Sequence, residues 1–471
     1  MHKKLVDFVS FLQKTIGPNV VTLSALDRAL DPRDRLVSKS EIYVEPHSTK
    51  EVAIILGEAN KKNIKLVPVG GSTGLVGGQI ADNNCQVSLS LEQMNDISFS
   101  KEDGLVTAQA GAILSEIKRI VFEAGRVFPL SIASEGSCQI GGNLATNAGG
   151  LNVIRYGNVR DLCIGIEAVL PSGRIVSSMK SLKKNNMGFD IKNLLIGSEG
   201  TLAIITAAIL KTFPLPVDPL VAMISIRDPG QAISIFKRIS ENFSDRLLAF
   251  ELIKKTGIQF LNKTGYKINY PFSEIAPWTI LVELDINIGK TSLRDEIEET
   301  LSEILKKELA SEIVICQNLE HKKEMWKVRE LIPEANRKIG SLCSNDISLP
   351  IGKIPDFIRE ADLGLLSISD KIVVNCFGHV GDGNLHYNVF PIEKKFKEAL
   401  EKDRAKILKL INDLVSNFSG SISAEHGIGR SKAIELAKYE DEGKLDAMLA
   451  IKTALDPKHI LNPGVIFNQE V

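Results

Sequence analysis

The sequence is poor in the features that announce many functions. It carries six cysteines in 471 residues, none in a C-x-x-C pair. Cys85, Cys138, Cys163, Cys316, Cys343 and Cys376 are scattered, which suits reduced, buried thiols in a cytoplasmic protein and argues against a disulfide framework or a zinc ribbon. Net charge is −1, so nothing points to nucleic acid or to an anionic membrane surface. No apolar run is long enough to span a bilayer. The basic start Met1-His2-Lys3-Lys4 is interrupted by Asp7 and Gln13, so no signal-peptide core is read there. Peripheral contact with a membrane stays open. There is no internal repeat, no low-complexity tract, no G-x-G-x-x-G and no Walker motif. Histidine is scarce too, at seven.

What is present is an ordinary globular composition, 44% hydrophobic and 24% charged, in a chain long enough for two or three domains. From about 40 to 213 short strands alternate with glycine-rich loops. Ile42–Val44 reads as a strand, Thr49–Lys62 as an amphipathic helix, and Ile64–Val69 as a strand. Further strands are expected at Gln86–Leu91, Leu105–Ala110, Ile164–Leu170 and Thr201–Thr212. The proline-rich joint Phe213–Pro219 marks a boundary. Beyond it, strand-like runs (Val221–Ile226, Trp278–Ile286, Glu312–Cys316, Lys371–Phe377, Asn384–Phe390) alternate with helical ones (Pro229–Glu241, Lys290–Lys307, His321–Ile339, Glu393–Asn417). That pattern predicts a sheet covered by helices, an α+β layer architecture. The expected domains are 1–214, 215–420 and a tail, 421–471.

Three glycine-rich loops lie in the first part. Gly70-Gly71-Ser72-Thr73-Gly74 follows a strand and can expose successive backbone N–H groups to an anion such as a pyrophosphate, although a plain tight turn explains it equally well. The run Pro129–Gly150, with Gly136-Ser137 and Gly141-Gly142 inside it, continues to Tyr156-Gly157 with few charges and many Asn, Thr and Ser. Backbone of this kind passes close to something flat and polar-edged. Gly197-Ser198-Glu199-Gly200-Thr201 adds the third loop. Together they suggest an extended dinucleotide lying between them. Glu199 is better suited to ordering its loop than to acting as a base.

Three of the histidines fall in two short segments, Phe377–Asn388 and Ala424–Gly427. Asp382-Gly383 signals a type I′ turn. A two-residue loop there sets Gly381 opposite Asn384, Val380 opposite Leu385 and His379 opposite His386, with Asn388 on the same face. Two imidazoles abreast make a divalent-metal clamp, with Glu425 available as third ligand and His426 as a base. Zn²⁺ suits the set, and Mn²⁺ or Fe²⁺ could occupy it.

Four motifs, Pro68–Gly78, Gly136–Gly142, Gly378–His386 and Ser423–Gly427, resemble those of the FAD-linked D-2-hydroxyacid dehydrogenases of the vanillyl-alcohol oxidase superfamily. The likeness runs from about 40 to 466. It implies a two-part FAD-binding domain of the p-cresol methylhydroxylase type, a cap domain with an antiparallel sheet, and a tail returning to the flavin. It implies a flavin site built from Pro68, Gly70, Gly71, Ser72, Thr73, Gly74, Pro129, Gly136, Ser137, Gly141, Gly142, Asn147, Gly149, Tyr156, Gly157, Glu199, Gly200, Ile204 and Asn462. Some members attach FAD through a His in the first loop; Ser72 stands here, so non-covalent FAD is expected. The family's metal ligands correspond to His379, His386 and Glu425, its base to His426, and its carboxylate-binding arginine to Arg329, with Asn388 beside the substrate.

The implied reaction is oxidation of a D-2-hydroxy acid, of the D-lactate or D-2-hydroxyglutarate type. Arg329 grips the carboxylate, the metal acidifies the hydroxyl, His426 takes the proton and the flavin receives the hydride. An external acceptor (an electron-transfer flavoprotein, a quinone or a cytochrome) then takes the electrons. Oligomeric state stays open, a homodimer included. Three departures bear on the substrate and the flavin. Ser344 stands where a lysine is expected in 2-hydroxyglutarate enzymes, Pro333 where some members carry a hydroxyl, and Val465 where the terminal Asn-Pro-Gly is followed by lysine. The competing readings are an oxidase of a sugar lactone or aryl alcohol, and a flavin-binding electron-transfer or assembly subunit.

Overall fold

Residues 3–23, 30–33, 35–82, 87–216, 218–286 and 291–468 are described by the computed structural model of the chain. Cys85 lies outside them. The other five cysteines are free and buried. Burial pushes the Cys163 and Cys376 thiols up to about 12, where they are inert. Among the described residues no helix is long and apolar enough to cross a membrane.

The chain divides into two units. The first comprises Met1–Gly150, Tyr156–Leu215 and Glu425–Val471; the second comprises Leu151–Arg155 and Pro216–Ala424. In the first unit, a four-stranded sheet runs in the order Val21–Leu23, Ile42–Val44, Val87–Ser90, Leu66–Val69. Its last three strands are parallel, so their connections must cross over. The helix Thr49–Lys62 makes one crossing. Ser48 caps its start by accepting the Glu51 N–H, and Asn63, left-handed at φ 53, ends it. The returning tail extends this sheet: Leu66 N–H donates to the Ile460 carbonyl and Asn462 N–H to that of Leu66. A second, antiparallel sheet is ordered Ile97–Ser100, Leu105–Gln109, Ile204–Lys211, Cys163–Val169, Ile175–Ser177.

The second unit is built on a seven-stranded antiparallel sheet. Its order is Glu312–Ile315, Asp218–Ile226, Trp278–Ile286, Leu247–Lys254, Ile372–Gly378, Asn384–Pro391, Cys343–Ser348. Alternate residues face opposite layers. Phe250, Leu252, Cys376, Leu385 and Tyr387 pack into one core with the helices Pro229–Phe243, Ile354–Ile368 and Arg404–Asn417. Ala249, Ile253, Phe377 and Phe390 face the other side, toward Lys255–Lys263, Leu319–Glu330 and Ile332–Ile339. Glu251, His386 and Asn388 share the parity of this second group, so they stand on its face.

Three expectations need correction here. The single helix expected over Glu393–Asn417 is broken at 402–403 into Lys397–Glu401 and Arg404–Asn417. The single helix expected over His321–Ile339 is two helices meeting at Leu331, because Pro333 cannot continue the hydrogen-bond ladder. The hairpin register is also different. Phe377, not His379, pairs with His386, and Asn375 pairs with Asn388. A type I′ turn needs left-handed conformation at both central residues, whereas Gly383 adopts it (φ 88) and Asp382 does not. The bend is instead the longer loop 379–383, in which the His379 carbonyl accepts from the N–H groups of Asp382 and Asn384.

Candidate active site

A long cavity opens in the first unit, with about 1030 Å³ of empty space counting its mouth. All three glycine-rich segments line it: Pro68, Gly70 to Gly74 and Gly78; Gly141 and Gly142; Glu199, Gly200 and Ile204. His426 and Asn462 reach it from the tail. Two glycines are required by close approach. A Cβ at Gly71 would overlap the Ser137 carbonyl, and one at Gly200 would stand 2.5 Å from Pro68 Cγ. Ser72 is left-handed at φ 53, a conformation used in loops that gather N–H groups around an anion.

Glu199 organises the tail. Its carboxylate accepts from Ile428 N–H at 2.7 Å and Gly429 N–H at 2.8 Å, just beyond His426. Burial pushes this acid up from its ordinary value, and those two donors oppose the push. Asn462 Nδ2 donates to the carbonyls of Gly78 and Glu199 at 3.0 and 2.8 Å. Lys452, buried, donates to the carbonyls of Thr201 and Leu461 and to Asp456, tying the third loop to the tail.

The cavity fits a polar, extended cofactor on its own atoms. Asn143 Oδ1 and Asn462 Oδ1 both belong to residues lining it, are buried, and have no partner among the described residues, so they await a donor. Asn143 and Gln79, whose Nε2 donates to the Gly74 carbonyl, are lining residues that sequence reasoning did not single out. The remaining expected flavin residues occupy neighbouring positions that do not line this cavity. Ser137 packs under Gly71, Asn147 ends the helix Ile140–Thr146 at φ 51, and the Tyr156 ring packs at a tilt against Phe213, centroids 4.6 Å apart. Gly157 lies against the Asp161 side chain, a Cβ on Gly149 would stand 3.2 Å from Glu425 Oε1, and Pro129 and Gly136 precede the Ile140–Thr146 helix. Glu425 Oε1 accepts from Gly150 N–H at 2.9 Å.

In the second unit a set of charged and aromatic groups stands on one sheet face. The His379 and His386 rings lie 5.6 Å apart, nearly perpendicular, with a nitrogen of each within 4.8 Å of the other's. They meet because His379 follows its strand into the loop, not through the direct pairing expected. Phe377 is the floor: the His386 ring packs on it at 4.9 Å and the Arg329 guanidinium at 4.7 Å. Glu251 closes the set. Its Oε1 is 2.5 Å from His379 Nδ1, and its Oε2 accepts from Arg329 Nε at 2.6 Å. Burial would raise the Glu251 carboxyl, but its contacts with His379 and Arg329 overcome it and hold it at about 2. His386 Nδ1 stands 3.6 Å from Asp346 Oδ1. Both Nδ1 atoms thus face carboxylates, the orientation commonly given to histidines that bind a cation through the other nitrogen. Asn388 lies in a row with Ser344 and Asn375 on the same face, next to the row holding His386. The strand bearing Glu251 was not read from sequence.

The comparisons agree with this architecture. A family model described as "FAD linked oxidases, C-terminal domain" matches residues 216–466, and one described as "FAD binding domain" matches 40–178. The chain is 34% identical to D-2-hydroxyglutarate dehydrogenase, mitochondrial, of Arabidopsis thaliana, covering 97% of this chain and 80% of that protein. It is 35% identical to D-2-hydroxyglutarate dehydrogenase of Xanthomonas citri pv. viticola (90% and 88%). A putative mitochondrial D-lactate dehydrogenase of Schizosaccharomyces pombe is 32% identical (97% and 89%). Among solved structures, p-cresol methylhydroxylase with substrate bound superposes with a TM-score of 0.78 at 15% identity, covering 100% of this chain and 98% of that one. An alkyldihydroxyacetonephosphate synthase gives 0.74 at 18% (97% and 84%). Those two share the fold. The chain therefore belongs to the FAD-linked D-2-hydroxyacid dehydrogenases, on the p-cresol methylhydroxylase and vanillyl-alcohol oxidase fold, and is an FAD-dependent enzyme.

Proposed function

We propose that the chain oxidises a D-2-hydroxy acid to the 2-oxo acid with the help of a divalent metal, and passes the electrons to an external acceptor. The observation that carries this reading is the grouping at Phe377 of the Arg329 guanidinium and the His386 imidazole, with the His379 imidazole 5.6 Å from the latter. Bound FAD supplies the hydride acceptor, and a divalent cation supplies Lewis acidity.

The protein's own groups do the rest. Arg329 spends its Nε on Glu251, and its two terminal nitrogens carry no hydrogen bond among the described residues. They form a planar fork for the substrate carboxylate, a geometry lysine cannot reproduce. His379 and His386 would hold the metal, with Glu425 as third ligand. Ala424 N–H is bonded to the Asp346 carbonyl, Asp346 pairs with His386, and Glu425 is the next residue in the chain. A ring nitrogen of His426 takes the proton of the 2-hydroxyl. Asn388 orients the substrate.

An anaerobic screen tests the reading. D-2-hydroxy acids should bleach the flavin, their L-enantiomers should not, and bleaching should fail after chelation and return with Zn²⁺ or Mn²⁺. Undiminished bleaching by chelated, metal-free protein would exclude the metal. Bleaching by no 2-hydroxy acid would leave a subunit that binds flavin without turnover.

A further inference from the structure

Glu251 is a carboxylate with no exposed surface, at the centre of a sheet. The neighbours on its strand, Phe250 and Leu252, are locked into the opposite core. Ile253 pairs with Phe377, so the same register carried two residues on sets Glu251 opposite His379. Each of its oxygens has one partner, His379 Nδ1 at 2.5 Å and Arg329 Nε at 2.6 Å. A buried ion pair is a weak device for stability, since apolar residues of the same volume serve as well. This one does something a stabilising pair has no reason to do. It engages one nitrogen of each partner, His379 Nδ1 and Arg329 Nε, and so fixes the plane of both groups. Arg329 then lies over the Phe377 ring, and His386, which stands beside His379, packs against the same ring.

We propose that Glu251 is a positioning residue with two dependants. It fixes the tautomer and ring plane of His379 for a divalent cation, and it fixes the guanidinium of Arg329 for a carboxylate. One buried carboxylate thereby ties metal binding to substrate binding. The proposal rests on the roles given above to His379 and Arg329. Metal-binding histidines are commonly oriented in this way by an acceptor on the other nitrogen, and losing it typically costs about 10- to 100-fold in metal affinity. The second dependant makes Glu251 distinctive: its loss should weaken two ligands that it does not touch.

The test is binding, not turnover. Full-length protein, loaded with FAD and stripped of metal, is titrated with Zn²⁺ against a chromophoric chelator. Separately, without metal, it is titrated with a 2-oxo acid followed by the flavin spectrum. Glu251→Gln should lose at least ~10-fold in Zn²⁺ affinity and also bind the 2-oxo acid more weakly, with flavin content unchanged. Arg329→Met should weaken only the 2-oxo acid, and His386→Ala only Zn²⁺. If Glu251→Gln does not fold, the pair Glu251→Leu with Arg329→Met removes both buried charges. It should lose Zn²⁺ affinity by a similar factor relative to Arg329→Met alone. A flavin-loaded Glu251 variant that binds either ligand within twofold of its reference overturns the inference and leaves the proposed function standing. Unmutated protein that binds neither Zn²⁺ nor a 2-oxo acid overturns both.

Discussion

Lys452→Met should uncouple the tail from the flavin cavity, and the size of the effect follows from the contacts. Lys452 is 4% exposed and Asp456 0%. The ammonium reaches Asp456 Oδ2 at 2.5 Å, the Thr201 carbonyl at 2.8 Å and the Leu461 carbonyl at 3.0 Å. Burial pulls this lysine below its usual range, and Asp456 offsets part of the pull. Methionine keeps most of the stem but removes the cation. Asp456 retains two donors, Ile460 N–H at 3.1 Å and Leu461 N–H at 2.9 Å, yet loses its counter-ion. Breaking a buried pair from one side costs roughly 3–5 kcal/mol. Each abandoned carbonyl adds about 1–3 kcal/mol if it stays dry. A total near 5 kcal/mol would match the lower end of whole-domain stability, about 5–15 kcal/mol. Asn462 and Gly200 line the cavity next to Leu461 and Thr201, so flavin should be released as the tail loosens. The assay is thermal unfolding followed by flavin fluorescence. Lys452→Met should melt far lower and lose FAD early, while Lys452→Met with Asp456→Asn should recover part of the loss. A flavin-saturated single variant destabilised by less than ~1 kcal/mol, the scale of a surface change, would refute the reasoning.

Three further outcomes are expected. His426→Ala should retain FAD and lose ~10²-fold or more in turnover, the scale of a missing acid–base group; near-normal turnover would remove His426 from that role. Gly71→Ala should purify with a much lower flavin-to-protein ratio, because its Cβ overlaps the Ser137 carbonyl, and full occupancy would show that the loop has room. Glu199, raised from 4.5 by burial, binds its proton more tightly folded than unfolded. Its contribution to stability therefore falls as pH rises from 4.5 through the folded value, and Glu199→Gln should flatten that limb in denaturant melts taken across it. An unchanged limb would assign the slope to other groups.

Much of this was legible in the residues, for identifiable reasons. Thr49–Lys62 carries its own start and stop signals, Ser48 and Asn63, and forms as read. Trp278–Ile286 also forms as read, from its apolar pattern. Glu251 was hidden by its surroundings. Leu247–Lys254 is apolar almost throughout and buried on both faces, so it lacks the alternation that marks a strand and its single acid looks incidental. The bend at 379–383 misled in another way. Asp-Gly signals two left-handed residues, but only the glycine takes that conformation, and the strand end moves by two residues. Because a shift of two preserves parity, His386 and Asn388 kept the face expected of them.

The first unit is interrupted in sequence: the chain leaves it at Leu215 and re-enters at Glu425. A ribosome must therefore finish more than two hundred intervening residues before the parallel edge at Leu66 gains its Ile460 and Asn462 bonds, and before His426 and Asn462 can wall the cavity. Cofactor loading is thus a late event in biogenesis, after the inserted layer has been made, and closure of so long a loop is slow by nature. Nascent chains stalled anywhere before residue 425 should emerge colourless.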